Sequence, residues 1–417
     1  MARHVQFSAV RGATGFSRGA HAGTVVDDSA RLRPARADEA DSSSSPSSSP
    51  SSSPSSSPST SRWASDAVEV PFPATEAILS WHAITPPGTW IELELSARIA
   101  DGSWSAWFVL ARWAERDDAP GGVRRTSVPG QRDTDASVHA DTFVAAEGRA
   151  FTAYRLRATF ARGDDARADA SLVMVGAMVS TIDDPTPGSQ PARDRHGNGH
   201  GHDGVDRGGA RGLALDVPRF SQQLHRGARL ELGGGGEAWC SPTSTAMVLG
   251  FWGRLPSEQA LAGIEAPNGD PQVVWAADGC YDHGYAGTGN WSFNAAFAAR
   301  NGLESFVTRL RSLDEAERFI AAGIPLVASV AFTRDELPEA GYVTEGHLLV
   351  IAGFTVDGDV VVNDPAAPEN AAVRRSYPRA AFERAWLRSA GGSGGVVYVM
   401  RPADVPLPAA PGEERNW

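Results

Sequence analysis

The stretch Trp239–Gly250, with the sequence WCSPTSTAMVLG, decides the fold of the carboxy-terminal half because it predicts a turn that runs directly into a helix. Ser241 is a favoured N-cap residue, and Pro242 suits the first helical position, where a missing N–H costs nothing. A thiol at this point lies among unpaired N–H groups and at the positive end of the helix dipole, which favours thiolate over thiol. Cys240 is therefore predicted to be a nucleophile, and a buried structural cysteine is the alternative.

A nucleophilic thiol needs a base that takes its proton and a third group that orients the base. The carboxy-terminal region contains three candidate histidines, His225, His283 and His347. His347 lies at the start of the apolar run GHLLVIAGF, residues 346–354, which predicts a strand. A polar ring at the start of such an apolar strand indicates a functional site, so we expect His347 to be the general base. A core histidine with satisfied hydrogen bonds is the alternative.

Asp364 is predicted to orient the histidine, because it follows a second strand expected at 360–363. A two-residue turn between the two strands would pair Asp364 with Ile351, which shares a strand face with His347. Ile351 is four residues from His347, about 13 Å along a strand, which is too far for a hydrogen bond. A longer loop or a bulge must therefore bring Asp364 and His347 together.

These motifs resemble the C39-like peptidase family. The resemblance rests on Cys-x-Pro-Thr-Ser at Cys240, the strand that His347 begins and Asn-Asp-Pro at 363–365, and it covers approximately residues 216–402. It implies an α+β papain-like fold and a Cys-His-Asp/Asn catalytic set. Ser241 stands where the family usually has glycine.

The resemblance also implies a glutamine upstream of the nucleophile that holds the developing oxyanion. The matching position in VPRFSQQ, residues 217–223, is Gln222, with Gln223 as the fallback. A side-chain amide and the Cys240 backbone N–H would give the tetrahedral intermediate two donors. An ordinary surface glutamine is the alternative.

The second cysteine is Cys280, which is followed by no helix start, so its thiolate would have less support. A disulfide between Cys240 and Cys280 is the remaining alternative, and it would leave Cys240 without the free thiol that a nucleophile needs.

The predicted organisation is multidomain. It consists of a disordered Ser/Pro-rich segment (1–62), an all-β sandwich domain (63–184), a Gly/His-rich linker (185–212), the peptidase domain (213–405) and a tail (406–417). The serine tract Ser42–Ser61 is interrupted by prolines and predicts an extended tether. The linker histidines His196, His200 and His202 are interpreted as part of a polar linker and not as a metal site.

The β domain is expected because apolar and polar residues alternate along 91–99 and 154–160. It is rich in tryptophan: Trp81, Trp90, Trp104, Trp107 and Trp113. These indoles either pack in the core or stack on sugar rings, and the second case would make the domain a cell-wall or glycan-binding module.

The composition limits the kinds of binding partner that we expect. A net charge of −12 argues against nucleic acid or an anionic membrane as the main partner. No apolar run is long enough for a transmembrane helix, so no membrane insertion is expected. No signal peptide is visible in the first thirty residues. The Ser/Pro stalk is typical of extracellular or cell-envelope proteins, and the compartment stays open.

The sequence therefore predicts a cysteine peptidase that hydrolyses a peptide or protein substrate, with Cys240, His347, Asp364 and Gln222 as its catalytic residues and without metal or cofactor. Two other functions stay open. One is a cell-wall peptide hydrolase or amidase guided by the β domain, and the other is a papain-like binding protein without activity.

Overall fold

The computed structural model describes residues 3–36, 39, 60–119, 121–181, 209–388, 391–412 and 414–417. The chain divides into two compact units. The amino-terminal unit comprises Ser8–Ala177 and Asp282–Ala286, and the carboxy-terminal unit comprises Met1–Phe7, Met178–Tyr281 and Gly287–Trp417. The predicted multidomain architecture with several sheets is therefore confirmed.

Before residue 182, the described residues form mainly strands, together with the short helix α1 (Gly12–Phe16). The strands are β1 (His4–Arg11), β2 (Ala20–Ala22), β3 (Thr24–Val26), β4 (Leu32–Pro34), β5 (Ser61–Ala64), β6 (Val68–Ala74), β7 (Glu76–Ile84), β8 (Thr89–Ile99), β9 (Phe108–Trp113), β10 (Ala136–His139), β11 (Thr142–Ala145), β12 (Phe151–Arg162) and β13 (Ser171–Thr181). They form one sheet in the order β10-β11-β7-β13-β4-β3, in which β1 pairs with β13. A second sheet has the order β2-β5-β12-β8-β9, in which β6 pairs with β12.

Aromatic rings from the two sheets meet in the core of this unit. Trp81 on β7 and Trp113 on β9 are both fully buried, and their ring centroids lie 5.7 Å apart in an edge-to-face arrangement. Phe108 on β9 and Phe143 on β11 make a similar contact at 5.4 Å. Two of the five tryptophans in the dense group thus pack in the core, which is the commoner fate of indoles on strands.

The prediction that residues 1–62 are disordered throughout is wrong for the described residues between His4 and Pro34. They contain β1 to β4, and Val5, Phe16 and Leu32 are buried. Most of these strands are only three residues long, so their stability comes from pairing with distant strands and not from local propensity. Along β1 the apolar residues Val5, Phe7 and Ala9 alternate with polar ones, a signal that predicts a strand.

From residue 209 onwards, the described residues of the carboxy-terminal unit form helices and a six-stranded antiparallel sheet. Its helices are α2 (Cys240–Phe251), α3 (Glu258–Leu261), α4 (Pro271–Cys280), α5 (Trp291–Arg300), α6 (Leu313–Ala321) and α7 (Arg379–Leu387). Its strands are β14 (Glu304–Arg309), β15 (Leu326–Phe332), β16 (Thr344–Phe354), β17 (Val360–Asn363), β18 (Arg374–Tyr377) and β19 (Val396–Arg401). The order in the sheet is β14-β19-β15-β16-β17-β18.

Helices α6 and α7 contribute their apolar residues to one core with the central strands. Phe319 and Trp386 on these helices and Leu326 and Ile351 on β15 and β16 are all fully buried in that core. Helix α6 is capped by Ser312, whose hydroxyl accepts a hydrogen bond from the N–H of Glu315 at 3.4 Å. The sheet is therefore held rigidly at its centre, where β16 lies.

Some predicted segments fall on residues that the structure does not describe, among them most of Ser42–Ser61 and of the linker 185–212. The last residues of the chain pack against the carboxy-terminal unit. Asn416 is fully buried and its amide donates to the Arg309 carbonyl at 2.9 Å, while the Trp417 ring lies 4.8 Å from that of Phe319. No helix within the described ranges is long and apolar enough to cross a membrane.

Candidate active site

Cys240 is the first residue of helix α2, two positions earlier than the predicted N-cap at Ser241 would require. The residue before the helix, Trp239, is buried, and its indole N–H donates to the Leu232 carbonyl at 2.8 Å. This anchored indole sets where the chain enters the helix, so the Ser241 hydroxyl does not cap it and bonds to the Tyr398 hydroxyl at 2.9 Å. The Cys240 sulfur therefore lies in the first turn, among the N–H groups that lack helical partners.

The sulfur of Cys240 is surrounded by donors. The backbone N–H groups of Ser241 and Leu348 and the ring of His347 all form hydrogen bonds with it. Burial opposes ionisation of the thiol, but the hydrogen bond and the charge of His347, together with the two N–H groups, lower the pKa of Cys240 below that of an ordinary thiol. The site thus favours a thiolate.

His347 lies on β16, directly beside the first turn of α2. The Ser244 hydroxyl on that helix donates to the Leu348 carbonyl at 3.1 Å, which ties the helix to the strand next to the histidine. His347 is 5% exposed, and its Nε2 lies 2.9 Å from Oδ1 of Asp364. Since Nε2 is engaged by the carboxylate, Nδ1 is the ring nitrogen left for the Cys240 sulfur.

Asp364 reaches His347 because the strand register differs from the predicted one. Ile351 pairs with Val362 and not with Asp364, so the pairing is shifted by two residues. The loop between β16 and β17 is longer than two residues, since the N–H of Thr355 bonds to the carbonyl of Asp359. A bulge between Ile351 and Gly353 adds the remaining shift. The sequence analysis gave a longer loop or a bulge as alternatives, and the structure contains both.

The carboxylate of Asp364 is fully buried and accepts four hydrogen bonds. Oδ1 accepts from His347 and from the N–H of Ala366 at 3.0 Å. Oδ2 accepts from the hydroxyls of Tyr342 at 2.9 Å and Tyr377 at 2.7 Å. Burial works against the anion, but the charge and hydrogen bond of His347, followed by Tyr377 and Ala366, hold the pKa of Asp364 well below its usual range.

The charged forms of Cys240, His347 and Asp364 stabilise one another. Burial disfavours the imidazolium, but the charge and hydrogen bond of Asp364, with those of Cys240, raise the pKa of His347 well above the usual imidazole range. Burial and the neighbouring Asp364 raise the pKa of Tyr342 and of Tyr377, so both phenols stay protonated and keep donating. The arrangement favours a thiolate, an imidazolium and a carboxylate in sequence.

Tyr342 and Tyr377 are site residues that the sequence analysis missed. Tyr377 is almost fully buried at the end of β18, and the Tyr342 ring lies edge-on to His347 with 5.6 Å between ring centroids. Nothing in the sequence distinguishes them from tyrosines of the core, because their function depends on the loop and strand that bring their hydroxyls to one oxygen.

Replacing Tyr377 by phenylalanine is expected to lower the free energy of unfolding at pH 7 by about 1–3 kcal/mol, because an ionised, buried carboxylate loses a donor. The pKa of Asp364 is depressed in the folded protein, so its stabilisation is present above the unfolded pKa of about 3.9 and is lost as pH falls. In urea unfolding, the difference from the native protein should therefore stay constant between pH 7 and pH 5 and shrink only below about pH 4. Ser244→Ala, which removes a buried hydrogen bond between neutral groups, should show no such pH dependence; equal pH dependence in both variants would contradict the assignment.

Gln222 lies between the turn before Cys240 and the loop after Asp364. Its backbone N–H donates to the Pro365 carbonyl at 3.0 Å, and its amide Nε2 donates to the Glu237 carbonyl at 2.5 Å. The side chain is buried, with Oε1 lacking a partner within the described structure. It is therefore no surface glutamine, and one N–H of its amide is left for a ligand.

The neighbouring Gln223 has a different environment. Its Oε1 accepts hydrogen bonds from the guanidinium of Arg226 at 3.0 and 3.3 Å, on the exposed side of the short helical turn Gln222–His225. Of the two glutamines, Gln222 is thus the one whose side chain is buried, where it bonds to the carbonyl of Glu237, three residues before Cys240.

Neither cysteine is in a disulfide, so the predicted alternative of a Cys240–Cys280 bridge is not present. Cys280 is fully buried at the end of α4, whereas Cys240 is half-buried. Within the described residues, no group of three or more His, Cys, Asp or Glu side chains is arranged to hold a metal ion.

Two regions of the chain match models of known protein families. Residues 214–393 match the Peptidase_C39 like family, and residues 6–180 match the peptidase C39 N-terminal domain. Together the two matches span most of the chain, which belongs to the C39-like peptidase family. The resemblance predicted from the motifs is confirmed.

The other two comparisons add less. No curated protein matches the sequence. A crystal structure described as that of a putative C39-like peptidase from Bacillus anthracis aligns with 45% of this chain and 96% of its own, at 20% identity and a TM-score of 0.28. A similarity of this size supports no further inference.

Proposed function

We propose that this protein is a cysteine peptidase of the papain-like type that hydrolyses peptide bonds in a peptide or protein substrate. The observation that carries the proposal is the hydrogen-bonded series from the Cys240 sulfur through the His347 ring to the Asp364 carboxylate. A nucleophile, a base and an orienting anion in contact are the set that covalent catalysis by a thiol requires.

In the proposed reaction, the Cys240 thiolate attacks the carbonyl carbon of the scissile bond. The His347 imidazolium then gives its proton to the leaving amine, and an acyl-enzyme remains on the sulfur. His347, now neutral, takes a proton from water, which attacks the acyl carbon and releases the carboxylic acid. Asp364 keeps the imidazole ring in place throughout by its bond to Nε2.

The negative charge that develops on the carbonyl oxygen needs donors that are already in place. The Cys240 N–H lies in the first helical turn, where no intrahelical acceptor is required, and Gln222 has a second amide N–H beyond the one that Glu237 accepts. We propose that these two groups form the oxyanion hole. Fixed donors of this kind act without reorganisation during the reaction.

Replacing Gln222 by alanine is expected to lower kcat about 100- to 1000-fold with little change in KM, because the donor acts mainly on the transition state. The full-length protein would be incubated with a mixed peptide library, the new termini mapped, and the best peptide used for kinetics. Gln223→Ala is the matched control and should stay within about twofold of the native rate.

The same experiment tests the proposed function. Cleavage of library peptides by the native protein supports it. The absence of cleavage, with soluble fragments released only from purified peptidoglycan, would replace it by a cell-wall hydrolase. No hydrolysis of either substrate, with Cys240 unreactive towards iodoacetamide, would mean a binding protein.

A further inference from the structure

The second sheet of the amino-terminal unit carries a layer of charged and indole side chains on the face opposite its core. On the paired strands β8 and β12, Glu94 is opposite Arg157 and Ser96 is opposite Arg155. The residues between them on β8, such as Leu93 and Leu95, are fully buried. The alternation of a strand therefore places both arginines on the outer face.

The segment Trp104–Trp107 lies over this face and is held there by two hydrogen bonds. The N–H of Ala97 donates to the Ser105 hydroxyl at 3.0 Å, and the Ser96 hydroxyl donates to the Ser105 carbonyl at 2.9 Å. Both indoles of the segment are half-buried and flank one guanidinium: Arg155 lies 3.9 Å from the Trp104 ring centroid and 5.4 Å from that of Trp107. The indoles of Trp104 and Trp107 are thus held in place by the protein itself, without a ligand.

Arg155 differs from the neighbouring arginines because it has no anionic partner among the residues that the structure describes. Arg157 forms a bidentate pair with Glu94, Arg98 bonds to Glu69 at 2.5 Å, and Arg112 bonds to Glu92 at 2.7 Å. Among the described residues, Arg155 makes ring contacts only, and its Nε is buried without an acceptor.

The Nε of Arg155 is enclosed and out of reach of a ligand, but among the described residues the terminal N–H groups of this guanidinium have no carboxylate partner and are left for an external anion. A carboxylate fits these groups, because its two oxygens match the fork of a guanidinium. The two indoles add flat apolar surface of the kind on which sugar rings stack.

We propose that this face, defined by Trp104, Trp107 and Arg155, binds an acidic glycan, with the carboxylate of a uronic acid on Arg155 and a sugar ring against an indole. An extended peptide fits less well. Both β8 and β12 are internal strands of the sheet, so neither offers a free edge for strand addition. The proposal does not depend on the peptidase chemistry.

The test is binding of oligogalacturonate to the full-length protein, measured by calorimetry, with a neutral glucose oligomer of equal length as the comparison ligand. The native protein should bind only the acidic oligomer. Arg155→Gln should weaken binding at least about tenfold, because a charge-assisted bidentate contact is lost. Arg155→Lys should weaken it less, since the charge is kept without the fork. Arg98→Gln, the matched control on the same face, should stay within about twofold, since that exposed arginine is already paired.

Several results would overturn the proposal. They are no saturable binding by the native protein, an equal loss in Arg98→Gln, and equally tight binding of polyglutamate or inorganic phosphate. The rate at which iodoacetamide alkylates Cys240, measured in Arg155→Gln, keeps this test separate from the proposed peptidase activity. It should equal the native rate whatever the glycan result.

Discussion

Replacing Cys240 by alanine is expected to reduce hydrolysis of the best library peptide to the uncatalysed background, with the fold intact. The expectation follows from the position of the Cys240 sulfur, which is in contact with His347 and two backbone donors. Removing a nucleophile that acts with its base and orienting group as one unit eliminates nearly all of their joint contribution.

The matched control for this variant is Cys280→Ala. Cys280 is the other cysteine of the chain, and it is fully buried at the end of α4, so its loss should leave kcat/KM within about threefold of native. Activity retained in Cys240→Ala, or lost equally in both variants at equal thermal stability, would contradict the assignment of the nucleophile.

Replacing His347 by glutamine is expected to lower kcat about 10⁴-fold or more. Glutamine can still donate a hydrogen bond to the buried Asp364, which avoids leaving that carboxylate without its partner, but it cannot accept and return a proton. The loss should therefore appear in kcat while thermal unfolding changes little.

His347→Ala is the informative comparison, because it removes both functions. It should lose as much activity as the glutamine variant and in addition be destabilised, since Asp364 is left ionised and buried without its main partner. A glutamine variant with kcat within about tenfold of native would exclude His347 as the general base.

The sequence predicted much of this site because its local signals are strong. Cys240 before a helix start and His347 at the start of an apolar strand could both be recognised, and in the structure these residues are in contact. Their catalytic functions stay predictions until the variants are measured. The position of Gln222 came only from the family resemblance, since neither spacing nor composition selects one glutamine.

The rest depended on features that a single sequence does not show. The bulge between Ile351 and Gly353 shifts the register that brings Asp364 to His347, and bulges leave no reliable mark in an apolar strand. The hydroxyls of Tyr342 and Tyr377 meet only after a long loop and a strand have packed. The three-residue strands β2 and β4 were missed because pairing with the distant strands β5 and β13 stabilises them.

The central claim is that His347 holds Cys240 as a thiolate at neutral pH, and the rate of Cys240 alkylation by iodoacetamide as a function of pH tests it most directly. The pKa of Cys240 is lowered and that of His347 is raised, so the ion pair is present between the two values. In the native protein, alkylation should stay fast below pH 7 and fall only in acid. In His347→Gln, the inflection should move up to the range of an ordinary or buried thiol, at about pH 8.5 or above. Superimposable profiles in the two proteins, both rising only above pH 8, would contradict the account.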